Sequence, residues 1–406
     1  MSVRRRSRNP RSEVDVSGAP DADGEATHAE RPEDDPARVE AIRNGLLAWY
    51  REAGRTLPWR ADRDAYRILV SEMMLVQTTV AAVIPYYERF LRRFPDMHSL
   101  AEADESEVLK MWEGLGYYRR ARQLHAAARQ VVAAHGGTIP DDPDAVRALP
   151  GVGPYIAGAV LSFAFDRPEP IVEANSQRVL ARWLALEDDP TSTAGRRRIW
   201  SAAARLVPSE QAGNFNQALM DLGATICTPR QPSCLFCPVA TLCEARRHGL
   251  QDVIPRTTPR LAPTEVREAG AVVTRGDRYL VVQRGRGGLW EEFWEFPAIH
   301  REGPDPAGRS FDEPVDLAEG VRRLTGITAE IGPAIATVRF GVTRYRVTLE
   351  VARGEGRPGT PRPGPGLIDA RWETLEGLGA LTFGSAGRRI LERLRRDPGW
   401  PTLSRT

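Results

Sequence analysis

All four cysteines of this 406-residue chain fall within seventeen residues, as Cys227, Cys234, Cys237 and Cys243 in the pattern C-x6-C-x2-C-x5-C. So dense a group, set among prolines in a short loop, does not suit a disulfide framework in a large intracellular protein. Four thiolates gathered in one loop point instead to a metal centre. Zinc usually shows two C-x-x-C knuckles farther apart. An iron–sulfur cluster fits this spacing better, and four cysteine ligands suit the 4Fe-4S type. The loop also divides the chain by character, with helical patterning before it and strand-like patterning after it.

Ahead of the cysteines, Ile42, Leu46, Leu47 and Tyr50 recur at helical spacing from about Val39. Leu57-Pro58-Trp59-Arg60 interrupts the pattern. It resumes over Tyr66 to Val83, with Ile68, Leu69, Met73, Met74 and Leu75 on a broad apolar face. Glu72 sits inside that face. Two readings of it are open: a wet carboxylate at the edge of the stripe, or a buried one whose charged form is disfavoured, so that it stays protonated as a general acid requires. Further helices run from Pro85 to His135, broken at Gly114-Leu115-Gly116-Tyr117-Tyr118-Arg119-Arg120. Aromatics beside arginines on a glycine turn suit base stacking and phosphate contact, and equally ordinary packing. Leu149-Pro150-Gly151-Val152-Gly153-Pro154-Tyr155 then sets two glycines before a run of small apolar residues. Such a turn, opening a helix, offers free backbone N–H groups to a phosphate oxygen. Glu173 follows, where a carboxylate could stand near a bound backbone. Helical character continues to about Leu222.

Beyond the cysteines, Pro255 to Pro263 is a linker by composition. Ala271 to Thr274, Tyr279 to Gln283 and Tyr345 to Val351 read as strands, and Asp316 to Leu324 and Ala386 to Leu394 as helices. Gly354 to Gly366 reads as a mobile loop. The expected organisation is a tail over 1–36, an all-α domain over 37–226, a cysteine loop over 227–250, a linker over 251–265, an α+β domain over 266–397 and a second tail over 398–406. The net charge of +2 predicts no polyanion partner by itself, so any nucleic-acid face has to be a local patch. Of the 56 basic residues only Lys110 is lysine, which leaves amine catalysis almost no candidate. No run of eighteen apolar residues exists to span a membrane, and the N-terminus lacks the apolar centre of a secretory signal. An intracellular protein is expected.

The motifs SEMMLVQTTVAAVIPYYERF, GLGYYRRARQLH, LPGVGPYIAGAVLSFAF, the cysteine loop and GGLWEEFWEFP occur in this order. Together they resemble the helix-hairpin-helix DNA glycosylases of the endonuclease III superfamily, and within it the adenine-removing MutY type. The resemblance covers about Val39 to Leu394. It implies a six-helix barrel and a cluster module flanking a DNA cleft, followed by a Nudix-like domain that reads 8-oxoguanine. It further implies monofunctional base-excision repair of adenine mispaired with 8-oxoguanine or guanine in double-stranded DNA, by a monomer in the cytoplasm beside a bacterial nucleoid. Carried over by position, Glu72 is the general acid, Glu173 the second carboxylate, and Tyr155 and Asn175 its active-site companions. Gly151, Gly153 and Arg60 fall among the DNA contacts, while Leu75, Gln77 and Tyr117 lie where residues wedge into the duplex.

Three departures stand out. The usual Val-Asp-Gly-Asn is Val172-Glu173-Ala174-Asn175 here, a carboxylate longer by about 1.5 Å. Val76 replaces the first glutamine of a usual pair. The lesion-reading Phe-Ser-His loop becomes Val342-Thr343-Arg344, in which Thr343 supplies a hydroxyl but Arg344 cannot accept a hydrogen bond. The segment Ala318 to Arg323 lacks the clustered glutamates that would hold magnesium, so the domain is expected to read and not to hydrolyse. Two other functions stay open, a silent lesion-binding protein and an endonuclease III-like lyase.

Overall fold

The structure, a computed structural model, describes residues 34–258, 262–287 and 289–397. The tail expected over 1–36 lies outside the described residues except for its last three, and that over 398–406 lies outside them altogether. Eleven helices precede the cysteines among the described residues: α1 (Pro36–Ala53), α2 (Ala65–Leu75), α3 (Val80–Arg93), α4 (Met97–Glu102), α5 (Glu105–Trp112), α6 (Arg119–His135), α7 (Pro143–Arg147), α8 (Pro154–Phe165), α9 (Ala174–Trp183), α10 (Thr193–Leu206) and α11 (Ala212–Thr225). Their starts are written in the sequence: the side chains of Asp35, Asp64, Asp96, Asp142 and Ser192 each accept a first-turn N–H. The single helix expected over Tyr66 to Val83 is two helices. Thr79 caps α3, and Gln77 takes a φ of 59°, so the chain turns sharply between them.

These helices build two lobes. Leu69, Met73, Phe90, Trp112, Leu124 and Leu161 centre the first, formed by α2 to α8. In the second, α1 returns to pack with α9, α10 and α11 through Leu46, Val179, Leu180, Phe215 and Leu222. The cysteine loop and α12 (Glu244–Arg247) close that second core with Val239 and Ala245. A cleft of about 740 Å³ opens between the lobes.

The remainder is a seven-stranded sheet held between two helices. Its strands are β1 (Thr264–Arg275), β2 (Arg278–Arg284), β3 (Trp294–Glu295), β4 (Ala298–Glu302), β5 (Ala329–Val342), β6 (Tyr345–Gly356) and β7 (Leu367–Thr374). The order is β3-β2-β1-β6-β5, with β4 against β1 and β7 against β2, and only β1 and β6 pair in parallel. One face buries Val272, Val281 and Phe340 against α14 (Ser385–Arg396), and the other buries Val273 and Leu280 against α13 (Leu317–Thr325). The strands expected from sequence lie inside β1, β2 and β6, while β3, β4, β5 and β7 are additional. β1 takes the last two residues of the expected linker. The loop expected to be mobile from Gly354 is also corrected: its first three residues finish β6. The rest is tied to α13 and the segment after it, by the N–H groups of Arg357, Arg362 and Gly364 donating to Thr328, Thr325 and Leu324.

The two domains share packing. Phe293, 2 % exposed, belongs to the first helical core, and Tyr118 meets it edge-on at 4.3 Å.

Candidate active site

Glu72 lies on the buried face of α2, and its side chain lines the cleft floor. Of its two sequence readings the buried one holds, since the residue is only 2 % exposed. Burial lifts its carboxyl to about 7, against the opposing pull of a Tyr155 hydrogen bond and the Arg60 charge. The Tyr155 hydroxyl, from the first turn of α8, donates to Glu72 Oε2. Burial and the neighbouring Glu72 in turn hold that phenol well above its ordinary range. Near neutral pH the phenol is protonated and a large share of the carboxyl still is, which leaves a proton donor in the cleft.

Glu173 reaches the same cleft from the other lobe, as the N-cap of α9. Its Oε1 accepts from Ser176 N at 2.8 Å, and its Oε2 accepts from Asn175 N at 2.8 Å and Asn175 Nδ2 at 3.2 Å. Burial pushes this carboxyl above its ordinary value, an effect that the two backbone N–H groups and the Arg178 charge only partly offset. The helix N-terminus adds positive potential at the same place. Asn175 is fixed in turn by Arg178, which donates to its Oδ1 at 2.9 Å. Two carboxyls of one cleft therefore stand in contrasting surroundings, one apolar and one rich in donors.

Arg60 also lines the cleft, but its guanidinium faces the protein. It donates to Asp221 Oδ2 at 2.8 Å, Asp221 Oδ1 at 3.0 Å and the Arg55 carbonyl at 3.1 Å. The structure thus pairs Arg60 with Asp221 while leaving it in the cleft lining. Asp221 is fully buried on α11; desolvation works against its charge, yet the bonds from Arg60 and Arg55 hold its carboxyl below the usual range. Sequence reading missed Asp221, although a carboxylate inside the apolar run Leu219-Met220-Asp221-Leu222 carries the same signal that singled out Glu72.

At the hairpin joining α7 to α8, Gly151 has a φ of 78°, and a Cβ there would meet Gln123 Cβ at 2.7 Å. Gly153 caps α8 with nothing within 4 Å of where its Cβ would be. The first glycine is required by the fold, and the second leaves the backbone open to an approaching group. Leu75 and Gln77 lie at the cleft mouth. Tyr117 does not line that cleft; it stands on the α5–α6 loop, 52 % exposed, at a φ of 48°. Thr343 and Arg344 form the tip of the β5–β6 hairpin, where Thr343 has a φ of 50° and Arg344 leans over the Tyr345 ring. A β-branched residue at such a φ is uncommon and costs energy.

The four cysteines all line one small cavity together with Arg182 and Arg246, and none is in a disulfide. Arg182, 1 % exposed, donates to the Thr228 carbonyl at 2.7 Å and to Cys227 Sγ at 3.3 Å. Among the described residues no three His, Cys, Asp or Glu side chains gather as ligands of a lone metal ion.

Residues 70–205 match the profile of the HhH-GPD superfamily base excision DNA repair protein, and residues 269–393 that of a NUDIX domain. The adenine DNA glycosylase of Rattus norvegicus is 35 % identical over 88 % of this chain and 78 % of its own length. The chain belongs to the adenine DNA glycosylase family. The Homo sapiens adenine DNA glycosylase is 34 % identical over 88 % of this chain and 74 % of its own. A solved structure of a thermostable thymine-DNA glycosylase is 32 % identical, covers 52 % of this chain and 98 % of that one, and has a TM-score of 0.49. In this member of the adenine DNA glycosylase family the Nudix-type helix α13 carries Glu319, whose carboxylate is engaged by Arg322 and Arg323. No described helix is long and apolar enough to cross a membrane.

Proposed function

We propose that the chain is a monofunctional glycosylase that hydrolyses the N-glycosidic bond of adenine mispaired with 8-oxoguanine or guanine in double-stranded DNA. The observation that carries this reading is the buried Glu72, its carboxyl lifted to about 7, facing a cleft that also receives Glu173, whose carboxylate accepts three N–H bonds. The cleft volume, about 740 Å³, falls within the range of ligand pockets, roughly 300–1,000 Å³. Glu72 gives its proton to a ring nitrogen of a flipped-out adenine. The bond from C1′ to the base then breaks, with its electron pair passing to the base, and the Glu173 carboxylate stands by the sugar cation. Water adds at C1′ and returns a proton to Glu72. Tyr155 and Asn175 orient the two carboxyls. Gly151 shapes the hairpin, and the N–H groups beside Gly153 receive a DNA phosphate. Leu75, Gln77 and Tyr117 wedge into the duplex, and Thr343 and Arg344 meet the oxidised base. Arg60 acts by holding Asp221 behind the site. Action as a monomer in the cytoplasm, close to DNA, completes the reading.

The test is single-turnover release of adenine from a duplex carrying it opposite 8-oxoguanine. Release by the parent and a loss of about 10²-fold or more in Glu72→Gln are expected. Lesion binding without release would favour a silent sensor, a reading with one observation behind it: both oxygens of Glu173 already serve the α9 cap. A carboxylate has about four acceptor positions, however, and three are used here. The lyase reading lacks support, because Lys110 does not line the cleft and its ammonium donates to the Leu381 carbonyl at 2.7 Å.

Cys227, Cys234, Cys237 and Cys243 would hold a 4Fe-4S cluster. What supports this is that the four cysteines line one cavity in a short loop, with none in a disulfide. A tetrahedral zinc would draw the sulfurs to within about 3.8 Å of one another, given bonds of about 2.3 Å. The cluster would shape the loop, with no part in the bond cleavage. Iron and inorganic sulfide in equal, near-fourfold molar amounts are expected in purified protein; zinc alone would overturn the assignment.

A further inference from the structure

Tyr117 occupies a loop held from two sides: in its own domain the Gly116 carbonyl accepts from Trp112 Nε1 at 3.2 Å and from Arg120 at 3.4 Å, and Leu115 packs into the helical core. Gly114, Gly116 and Tyr117 all have positive φ, at 107°, 75° and 48°; the glycines take it freely, whereas Tyr117 does so at a cost. The second side is the other domain. Glu113, at the start of the loop, accepts from Phe383 N at 3.0 Å through Oε1 and pairs with Lys110 at 2.7 Å through Oε2. Arg388 of α14 donates to the Glu113 carbonyl at 3.2 Å and lies against Gly114, where a Cβ would meet its guanidinium at 2.0 Å. Tyr118, at the far end of the loop, accepts from Gly114 N at 3.2 Å and reaches the Phe383 carbonyl at 3.4 Å.

The anchor is firm, because Phe383 is fully buried and stacks on Phe296 in the core beneath the sheet. The same helix also holds the other reading element. Arg389, next to Arg388, donates to the Arg339 carbonyl of β5 at 2.6 Å, and β5 ends at the Thr343 tip. The β5–β6 hairpin and the Tyr117 loop are thus bolted to one rigid piece, the start of α14 with the Leu381–Phe383 segment before it.

We propose that Glu113 is a positioning residue for lesion specificity: through the Phe383 N–H and Lys110 it sets the Tyr117 loop in register with the Thr343–Arg344 hairpin, so that the two engage the same mispair together. This rests on the assignment of Tyr117 as a wedge and of the hairpin as the lesion reader. A mispair with 8-oxoguanine engages both elements, whereas one with guanine gives the hairpin no oxidised base to read. Loosening the latch therefore costs the first substrate more than the second.

The experiment compares single-turnover adenine release opposite 8-oxoguanine and opposite guanine, with thermal melting recorded alongside, for full-length parent, Glu113→Ala, Glu113→Gln and Tyr117→Ala. In Glu113→Ala the ratio of the two rates falls roughly tenfold, while the guanine-mispair rate stays within about twofold. Glu113→Gln, which keeps the acceptor for Phe383 N–H, recovers part of the ratio. An unchanged ratio in Glu113→Ala, or an equal fall of both rates with a lower melting temperature, overturns the latch. Unchanged rates on both mispairs in Tyr117→Ala would instead overturn the wedge assignment beneath it.

Discussion

Glu72 illustrates how one residue's position sets both a use and a cost. The ordinary carboxyl value of 4.5 is lifted to about 7 by burial. Between those pH values the folded chain keeps a proton that the unfolded chain has lost, so stability falls as pH rises through this window. The full effect is about 3 kcal/mol above pH 8. Urea unfolding at pH 5 and at pH 8 should show that loss in the parent, while Glu72→Gln, which cannot ionise, should be spared it. The excision rate should fall as pH rises through about 7, as the acid is used up. Tyr155→Phe should move that limb upward, because the phenol's hydrogen bond favours the ionised form. An unmoved limb would mean that another group titrates. Glu72 was legible because a carboxylate inside an apolar stripe is conspicuous in one dimension. The acceptor geometry of Glu173 was not, since its partners are backbone N–H groups that exist as donors only once α9 has formed. Nor was the diversion of Arg60 to Asp221, 161 residues away in sequence.

At the scale of elements, the two glycines of the α7–α8 hairpin make separable predictions. Gly151→Ala combines a left-handed φ with a Cβ contact of 2.7 Å and should lose roughly 1–2 kcal/mol or more of stability. Gly153→Ala meets open space at an ordinary φ of −85°, so its melting should hardly change. Its affinity for duplex DNA should fall, because a methyl group then stands where a phosphate approaches. Denaturation and DNA titration on the same preparations check both, and unchanged affinity in Gly153→Ala would remove the hairpin from the DNA face. The helices were readable because their apolar periodicity is local and their caps are side chains. The sheet was readable where strands are buried on both faces, as in β2, or alternate sharply, as in the first half of β6. β5 escaped because Gly332 and Pro333 read as breakers, and the structure accommodates them at register shifts between Ile331 and Ala336. β7 is mostly half-buried, with only Ala370 and Trp372 buried, and shows little contrast.

Across the whole molecule, cohesion of the two domains rests on a few aromatics and the cations Arg122, Lys110 and Arg388. Phe293 and Trp290 enter the helical core from the strand-rich domain, Arg122 meets Glu291 and Glu292, and Lys110 bonds to the Leu381 carbonyl. That a second domain would follow the linker was legible from the change in patterning. Its docking surface was not, because Phe293 and Phe383 look like any other core residues until the partner is in place. The seam has a chemical signature. Apart from the terminal amine, Lys110 holds the chain's sole primary amine, and it is tied down at the junction. An acylating reagent therefore footprints this one contact without engineering. Modification should be slow in the free protein and slower on lesion-bearing duplex. It should speed up when Phe293→Ala loosens the seam, so that the rate of a single acylation, read by mass spectrometry, measures how often the domains part.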